Sequence, residues 1–294
     1  MRPPSPSIPE REFLLESLSQ SLRIDGRLPL ELRTPVIQFG PELGWVQCSY
    51  GKTHAIAYVD AKIVKPEAAR PFEGLISINS EISPMASTEY ETGRTSDEEV
   101  TVTRMLDKIL RRSDAIDKES LCILAGKRVW HLRLTVQFLA DSGNMLDCGC
   151  LAGIIAFKHF RRPDVEVIGD EVIVHSPSER APIPLSLHHT PLCFTFAFYR
   201  PPTATTTSSS SSEPILIIDP SQLEQRLAAG LVSIALNAQK EICVLNKLGG
   251  VPLGPEDLLR VIEVAVEKAR EVDKLVEKAL ADDWEERKAT VELR

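Results

Sequence analysis

The sequence predicts an α+β fold closed by a long C-terminal helix, and three observations carry that prediction. Strand-like and helix-like stretches are mixed, without the strict βα alternation of a doubly wound sheet. From Pro255 to Trp284 one amphipathic pattern runs unbroken: Leu258, Ile262, Ala265, Ala269, Val272 and Val276 recur at alternating steps of four and three. The chain has 294 residues, 43% hydrophobic and 26% charged, which is ample for a sizeable buried core.

Taken in order, residues 1–9 are Pro-rich and polar and read as disordered. They lack the apolar run of a signal peptide, so export is not expected. Phe13, Leu14, Leu18 and Leu22 then fall at helical spacing over Glu10–Leu22, followed by the charged turn Arg23-Ile24-Asp25-Gly26-Arg27. Residues 44–60 alternate like two strands joined at Tyr50-Gly51-Lys52, and 75–79 form another short strand. Ser96 and Glu99 make a capping-box pattern. The helix it opens has Val102, Met105, Leu106 and Ile109 on its apolar face. Residues 121–124 and 129–138 read as strands. Residues 145–160 read as a helix in which Gly149 and Gly153 permit close packing at a cost in propensity. Strands follow at 165–174 and 192–198. The Ser/Thr-rich tract 203–213 cannot bury a core and reads as a long loop. After the strand Ile215–Ile218, Asp219-Pro220 reads as an N-cap followed by a first-turn proline. Residues 231–237 and 241–246 look like paired strands.

Composition narrows the function. The formal net charge is −8, unlike a basic DNA-binding domain, though a local basic patch can still meet RNA. No apolar run approaches the roughly 18–20 residues that span a bilayer. The six cysteines include a CxC at Cys148 and Cys150, but no second Cys or His pair at zinc-ligand spacing, so they read as reduced packing residues. No GxGxxG, GxxxxGK[ST], HExxH or GxSxG motif is present.

Three segments could carry chemistry. The turn Arg23–Arg27, with Glu31 and Arg33 beyond it, is by composition a charged turn with a special glycine. Arg104, Lys108 and Arg111 sit at i, i+4 and i+7, with Arg112 beside them. They are either a solvated helix face or a phosphate-contacting stripe. Asp219 and Glu224 could together hold a metal, against the simpler reading of Asp219 as a helix cap.

The segments RIDGR (23–27), GWVQCSYGKT (44–53), SDAID (113–117), LCILAGKRVW (121–130), DSGNMLDC (141–148) and LIIDPSQLEQ (216–225) occur in an order that resembles the RNase PH family, over about Glu10 to Trp284. Within the family, the segments resemble the inert subunits of the eukaryotic RNA exosome core ring. The resemblance implies an RNase PH-like fold of two βαβ-type halves, similar to ribosomal S5 domain 2. It divides the chain into an N-terminal extension and helix (1–22), a first half (23–165), a second half (166–255, with a disordered loop at 201–213) and a C-terminal helix and tail (256–294). It implies a hetero-hexameric ring with S1/KH cap proteins, a hydrolytic exoribonuclease that supplies activity, single-stranded RNA as the partner, and a nuclear, nucleolar and cytoplasmic location.

Active members of the family cleave RNA from the 3′ end with phosphate and magnesium. This sequence departs from their pattern. Gly143-Asn144-Met145 stands where they carry Gly-Thr-Arg or Gly-Ser-Arg, and methionine cannot bind phosphate as arginine does. Gln225 follows Glu224 where they carry an acidic pair, and Gly230 lies near their later aspartate. The expectation is a scaffold that contributes to an RNA channel in 3′-to-5′ processing and decay, including rRNA maturation and mRNA turnover. Catalytic residues, metal and cofactor are none, and RNA-contacting residues are Arg104, Lys108, Arg111 and Arg112. The alternatives are an active phosphorolytic exoribonuclease and a stand-alone RNA-binding module. The second is disfavoured by the acidic charge and the absence of aromatic stacking motifs.

Overall fold

In the computed structural model, residues 6–169, 171–176, 179–199, 214–250 and 252–292 are described; the Ser/Thr tract and residues 1–5 lie outside them. The first helix, α1, spans Ile8–Ser19, two residues earlier than the apolar spacing suggests. The reason is Ser7, which forms a reciprocal capping box with Glu10. Only Leu14 and Leu18 of its apolar residues are buried, against Ala197, Tyr199 and Ile217; Phe13 and Leu22 stay exposed.

The first sheet comprises β1 (Pro35–Phe39), β2 (Trp45–Tyr50), β3 (Thr53–Val64), β4 (Leu75–Ile82), β5 (Cys122–Leu124) and β6 (Arg128–Ala140). Its order is β1-β2-β3-β6-β4, with β5 added on β6. Strand β4 pairs parallel with β6, from Leu75↔His131 to Ile82↔Phe138; the other pairings are antiparallel. A parallel pair needs a crossover, and α2 (Asp97–Leu106) supplies it. Ser96 caps α2 by accepting from the Glu99 N–H, and Val102, Met105 and Leu106 face the core. The helix then widens into a π turn over Asp107–Arg111.

Helix α3 (Met145–His159) is apolar almost all round, so it must be covered on every side. It packs on β2, β3 and β6 of the first sheet and on β11 (Leu192–Tyr199) of the second. At Gly149 a Cβ would lie 2.7 Å from Phe138 Cζ, so glycine is what lets the helix approach the sheet. Between them run β7 (Arg161–Arg162), the hairpin β8 (Val165–Ile168) and β9 (Glu171–Val174), and β10 (Ile183–Pro184), which pairs with β7.

The second sheet joins β11 to β12 (Ile215–Ile218), β13 (Gly230–Leu236) and β14 (Ile242–Leu248) in the order β12-β11-β13-β14, all antiparallel. The short helix α4 (Gln222–Leu227) follows β12. Its N-cap is Ser221, boxed with Glu224. Asp219 is therefore not the cap that the Asp-Pro pair suggests; it sits before the helix at φ +50. Helix α5 (Pro255–Glu292) lays Val261, Ala265, Ala269, Val272 and Val276 against β13 and β11 and reaches β1. Its far end is pinned: Arg287 donates to the carbonyls of Gly40 and Pro41, and Asp283 meets the buried His159 ring at 3.2 Å.

Candidate functional site

The loop before α3 is held against the start of α4. Gly143 has φ +86, and a Cβ there would come within 2.4 Å of Gln222 N. Only glycine lets the two segments touch. The Gly143 carbonyl accepts from the Thr53 hydroxyl (2.8 Å), and the Gly143 N–H donates to Asp141 Oδ1 (2.8 Å).

Asp219 is the hub beneath this loop and is fully buried. Arg33 grips it bidentately, Nε to Oδ2 at 2.8 Å and Nη2 to Oδ1 at 2.7 Å. Arg27 Nη1 donates to Oδ2 at 2.8 Å, and the Asn144 amide donates to Oδ1 at 2.7 Å. Burial opposes ionisation of Asp219, but the hydrogen bonds and charge of Arg33, with Asn144 and Arg27, outweigh it and hold the carboxyl below the usual range. Beside it, the buried Arg23 binds Glu224 through two contacts of 3.0 and 2.6 Å and also donates to the Ile218 and Asp219 carbonyls. The turn Arg23–Arg27 thus clamps β12 to α4, with Arg33 completing the clamp.

Three of the residues that the resemblance marks as departures, Met145, Asn144 and Gln225, have structural roles here. Met145 is 3% exposed and belongs to the core. Asn144, at φ +59, bridges two carboxylates, its amide donating to Asp147 Oδ2 (2.8 Å) as well as to Asp219. Gln225 Oε1 accepts the Asn144 backbone N–H at 3.0 Å. Asp147 also accepts from the Thr195 N–H and hydroxyl; burial pushes its carboxyl up to about 7, against those hydrogen bonds. An anion brought to this loop would find the Asn144 N–H taken, the arginines committed to Asp219, and a second buried carboxyl group close by. The donor set does not fit magnesium either. Both oxygens of Asp219 and of Glu224 are occupied by N–H donors, which leaves no carboxylate edge open to a hard cation.

The basic stripe is divided by the π turn. Arg111 and Arg112 line a groove of about 250 Å³ with Arg70, Lys118, Glu67 and Glu73, on the side of β4. Arg70 pairs with Glu73 inside the lining, and Lys118 with Asp114 outside it. Arg104 and Lys108 are exposed but do not line it. Both groove arginines contact Asp107: Arg111 Nη2 donates at 2.9 Å and Arg112 Nε at 3.1 Å. All six cysteines are free; Cys48, Cys148, Cys150 and Cys193 are buried, and burial pushes the Cys148 thiol up to about 12, the behaviour of a packing residue.

Sequence reasoning missed the Arg33–Asp219 hub, and the available signal was weak: three arginines at 23, 27 and 33, with no local hint of partners nearly 200 residues away.

This two-sheet fold is that of a nuclease-family domain pair, and the chain belongs to the 3′ exoribonuclease (RNase PH) family. Its domain 1 model matches residues 31–163 and its domain 2 model residues 200–268. The chain is 39% identical over 277 residues to "Exosome complex component rrp45" of Schizosaccharomyces pombe, covering 94% of this chain and 91% of that one. It is 40% identical over 279 residues to "Exosome complex component RRP45" of Homo sapiens, covering 95% of this chain and 61% of the human one. Among solved structures, a chain of the Archaeoglobus fulgidus exosome with RNA bound to the active site superposes with a TM-score of 0.74 at 23% identity, over 90% of this chain and 96% of that one. At that identity the likeness speaks for the fold.

Proposed function

We propose that the chain is a non-catalytic subunit of the RNA exosome core ring that holds single-stranded RNA by its phosphates as it passes to a nuclease. Its first half would span 23–165 and its second half 166–255. Its neighbours would be other RNase PH-like subunits and S1/KH cap proteins, and a hydrolytic exoribonuclease would supply cleavage, in nucleus, nucleolus and cytoplasm. The observation that carries this reading is the closed loop: Met145 is buried, Gln225 occupies the Asn144 N–H, and Asp219 absorbs Arg27 and Arg33. A phosphate nucleophile needs those donors free. The relatives named as exosome components support the assembly, and the groove with Arg111 and Arg112 supports the RNA contact.

Removing charge from the basic stripe, inside and outside the groove, tests it. Rings reconstituted with Arg104→Glu/Arg111→Glu should assemble normally, because both guanidinium heads lie outside the core. They should bind single-stranded RNA about tenfold more weakly or worse, since each reversed charge replaces a phosphate attraction by a repulsion. Nuclease protection of labelled RNA is the readout, and an unchanged footprint would sink the RNA-holding role.

A further inference from the structure

We infer that Asp107 is a positioning residue that holds Arg111 and Arg112 as a single phosphate-facing fork; this rests on the proposed RNA contact of those arginines. The π turn makes this arrangement possible. In an α-helix of 3.6 residues per turn, residue i+5 lies about 140° round the axis from residue i, so consecutive side chains at i+4 and i+5 cannot both return to it. Here the turn is widened: the Arg112 N–H donates to the Asp107 carbonyl at 3.0 Å, an i to i+5 bond. The wider turn sets i+4 and i+5 on either side of residue i, and one carboxylate reaches both. Arg111 Nη2 and Arg112 Nε each donate to Asp107 Oδ2, and Arg111 Nε lies 2.5 Å from Oδ1.

The carboxylate is mostly covered, with 17% of the side chain exposed, whereas Arg111 and Arg112 keep 41% and 67%. Asp107 is not one of the residues lining the groove, while both arginines are. The acid is therefore more covered than the two arginines it holds, and both arginines reach the groove that it does not. Local π turns cost helix regularity and recur at functional sites. This one is what brings two neighbouring arginines to one acid.

The sign of one substitution separates positioning from plain electrostatics. Asp107→Asn removes the negative charge that Arg111 and Arg112 share. If charge alone mattered, RNA binding would tighten and its salt slope would steepen, by up to about 0.7 for each additional phosphate neutralised on a single strand. If Asp107 positions the fork, binding weakens about fivefold despite the added positive charge, roughly the loss of one oriented charge-assisted contact. Asp107→Glu, which restores the carboxylate, should return to within about twofold of wild type.

The assay is binding of labelled single-stranded oligoadenylate to reconstituted rings at two salt concentrations, with thermal unfolding to confirm the fold and Arg111→Glu alongside. Weaker binding by Asp107→Asn, with rescue by Asp107→Glu, supports the inference. Equal or tighter binding by Asp107→Asn, while Arg111→Glu binds poorly, overturns it and leaves the RNA-holding reading standing. Wild-type binding by Arg111→Glu overturns that reading, and the inference with it. Should the Asn variant not assemble, Asp107→Ser gives the same comparison.

Discussion

Asp219→Ala is expected to destabilise the chain by about 3–5 kcal/mol, the usual cost of leaving buried charge without its partner. That is a large share of a typical total of roughly 5–15 kcal/mol. The carboxylate is the shared acceptor for Arg33, Arg27 and the Asn144 amide, so its loss strands two guanidiniums whose side chains are only 12% exposed. Alanine also tolerates the left-handed backbone at φ +50 less well than aspartate does. Urea denaturation at neutral pH should show the loss, and Asp219→Asn should be milder because it keeps shape and backbone preference. The deficit should shrink in acid. Burial raises the Asp219 carboxyl but Arg33 and its neighbours lower it further, so the folded value lies below the unfolded one. The contribution is therefore present above the ordinary aspartate range and is lost as pH falls through the folded value. Wild type and Asp219→Ala should converge there.

Glu224→Ala should be of similar size, again about 3–5 kcal/mol. Arg23 has a fully buried side chain and Glu224 is its counter-charge at 2.6 Å. The same carboxylate accepts the Ser221 N–H at 2.7 Å and so helps start α4. Replacing both members, as Arg23→Met/Glu224→Leu, should recover a good part of the loss, because two well-packed apolar side chains leave no stranded charge. Recovery should be incomplete, since the Ile218 and Asp219 carbonyls lose the donors that Arg23 gives them. A denaturation series on wild type, the single variant and the double variant checks the order. A single variant as stable as wild type would mean that the clamp between the N-terminal turn and α4 contributes nothing.

Much of the fold was legible because local physics decides it. Ser96 and its helix, the hairpin turning at Gly51, the all-apolar α3 and the α5 stripe each follow from spacing that one element reveals by itself. What escaped had a tertiary cause. Strand β1 is a short outer strand between Pro35 and Gly40 and has little pattern of its own. Asp219 is followed by proline, as a helix cap often is, yet its partners Arg27 and Arg33 stand 192 and 186 residues away. No local signal encodes them. That Met145 and Gln225 stand where the family resemblance places an arginine and an acid was readable only through that resemblance, since a methionine or a glutamine by itself fits a core or a loop equally well. That Gln225 caps the Asn144 N–H was not readable, since it depends on two loops meeting at Gly143. The basic stripe was seen, but the π turn that sends Arg111 and Arg112 one way and leaves Arg104 and Lys108 outside the groove has no counterpart in the periodicity.

The most direct test of the central claim is phosphate-dependent release of nucleoside diphosphates from single-stranded RNA by the purified chain. Magnesium is present and folding is confirmed by circular dichroism. The closed loop at Asn144, the buried Met145 and the arginines committed to Asp219 predict no release at any phosphate concentration. Release that rises with phosphate and vanishes without it would contradict the account and make the chain an exoribonuclease in its own right.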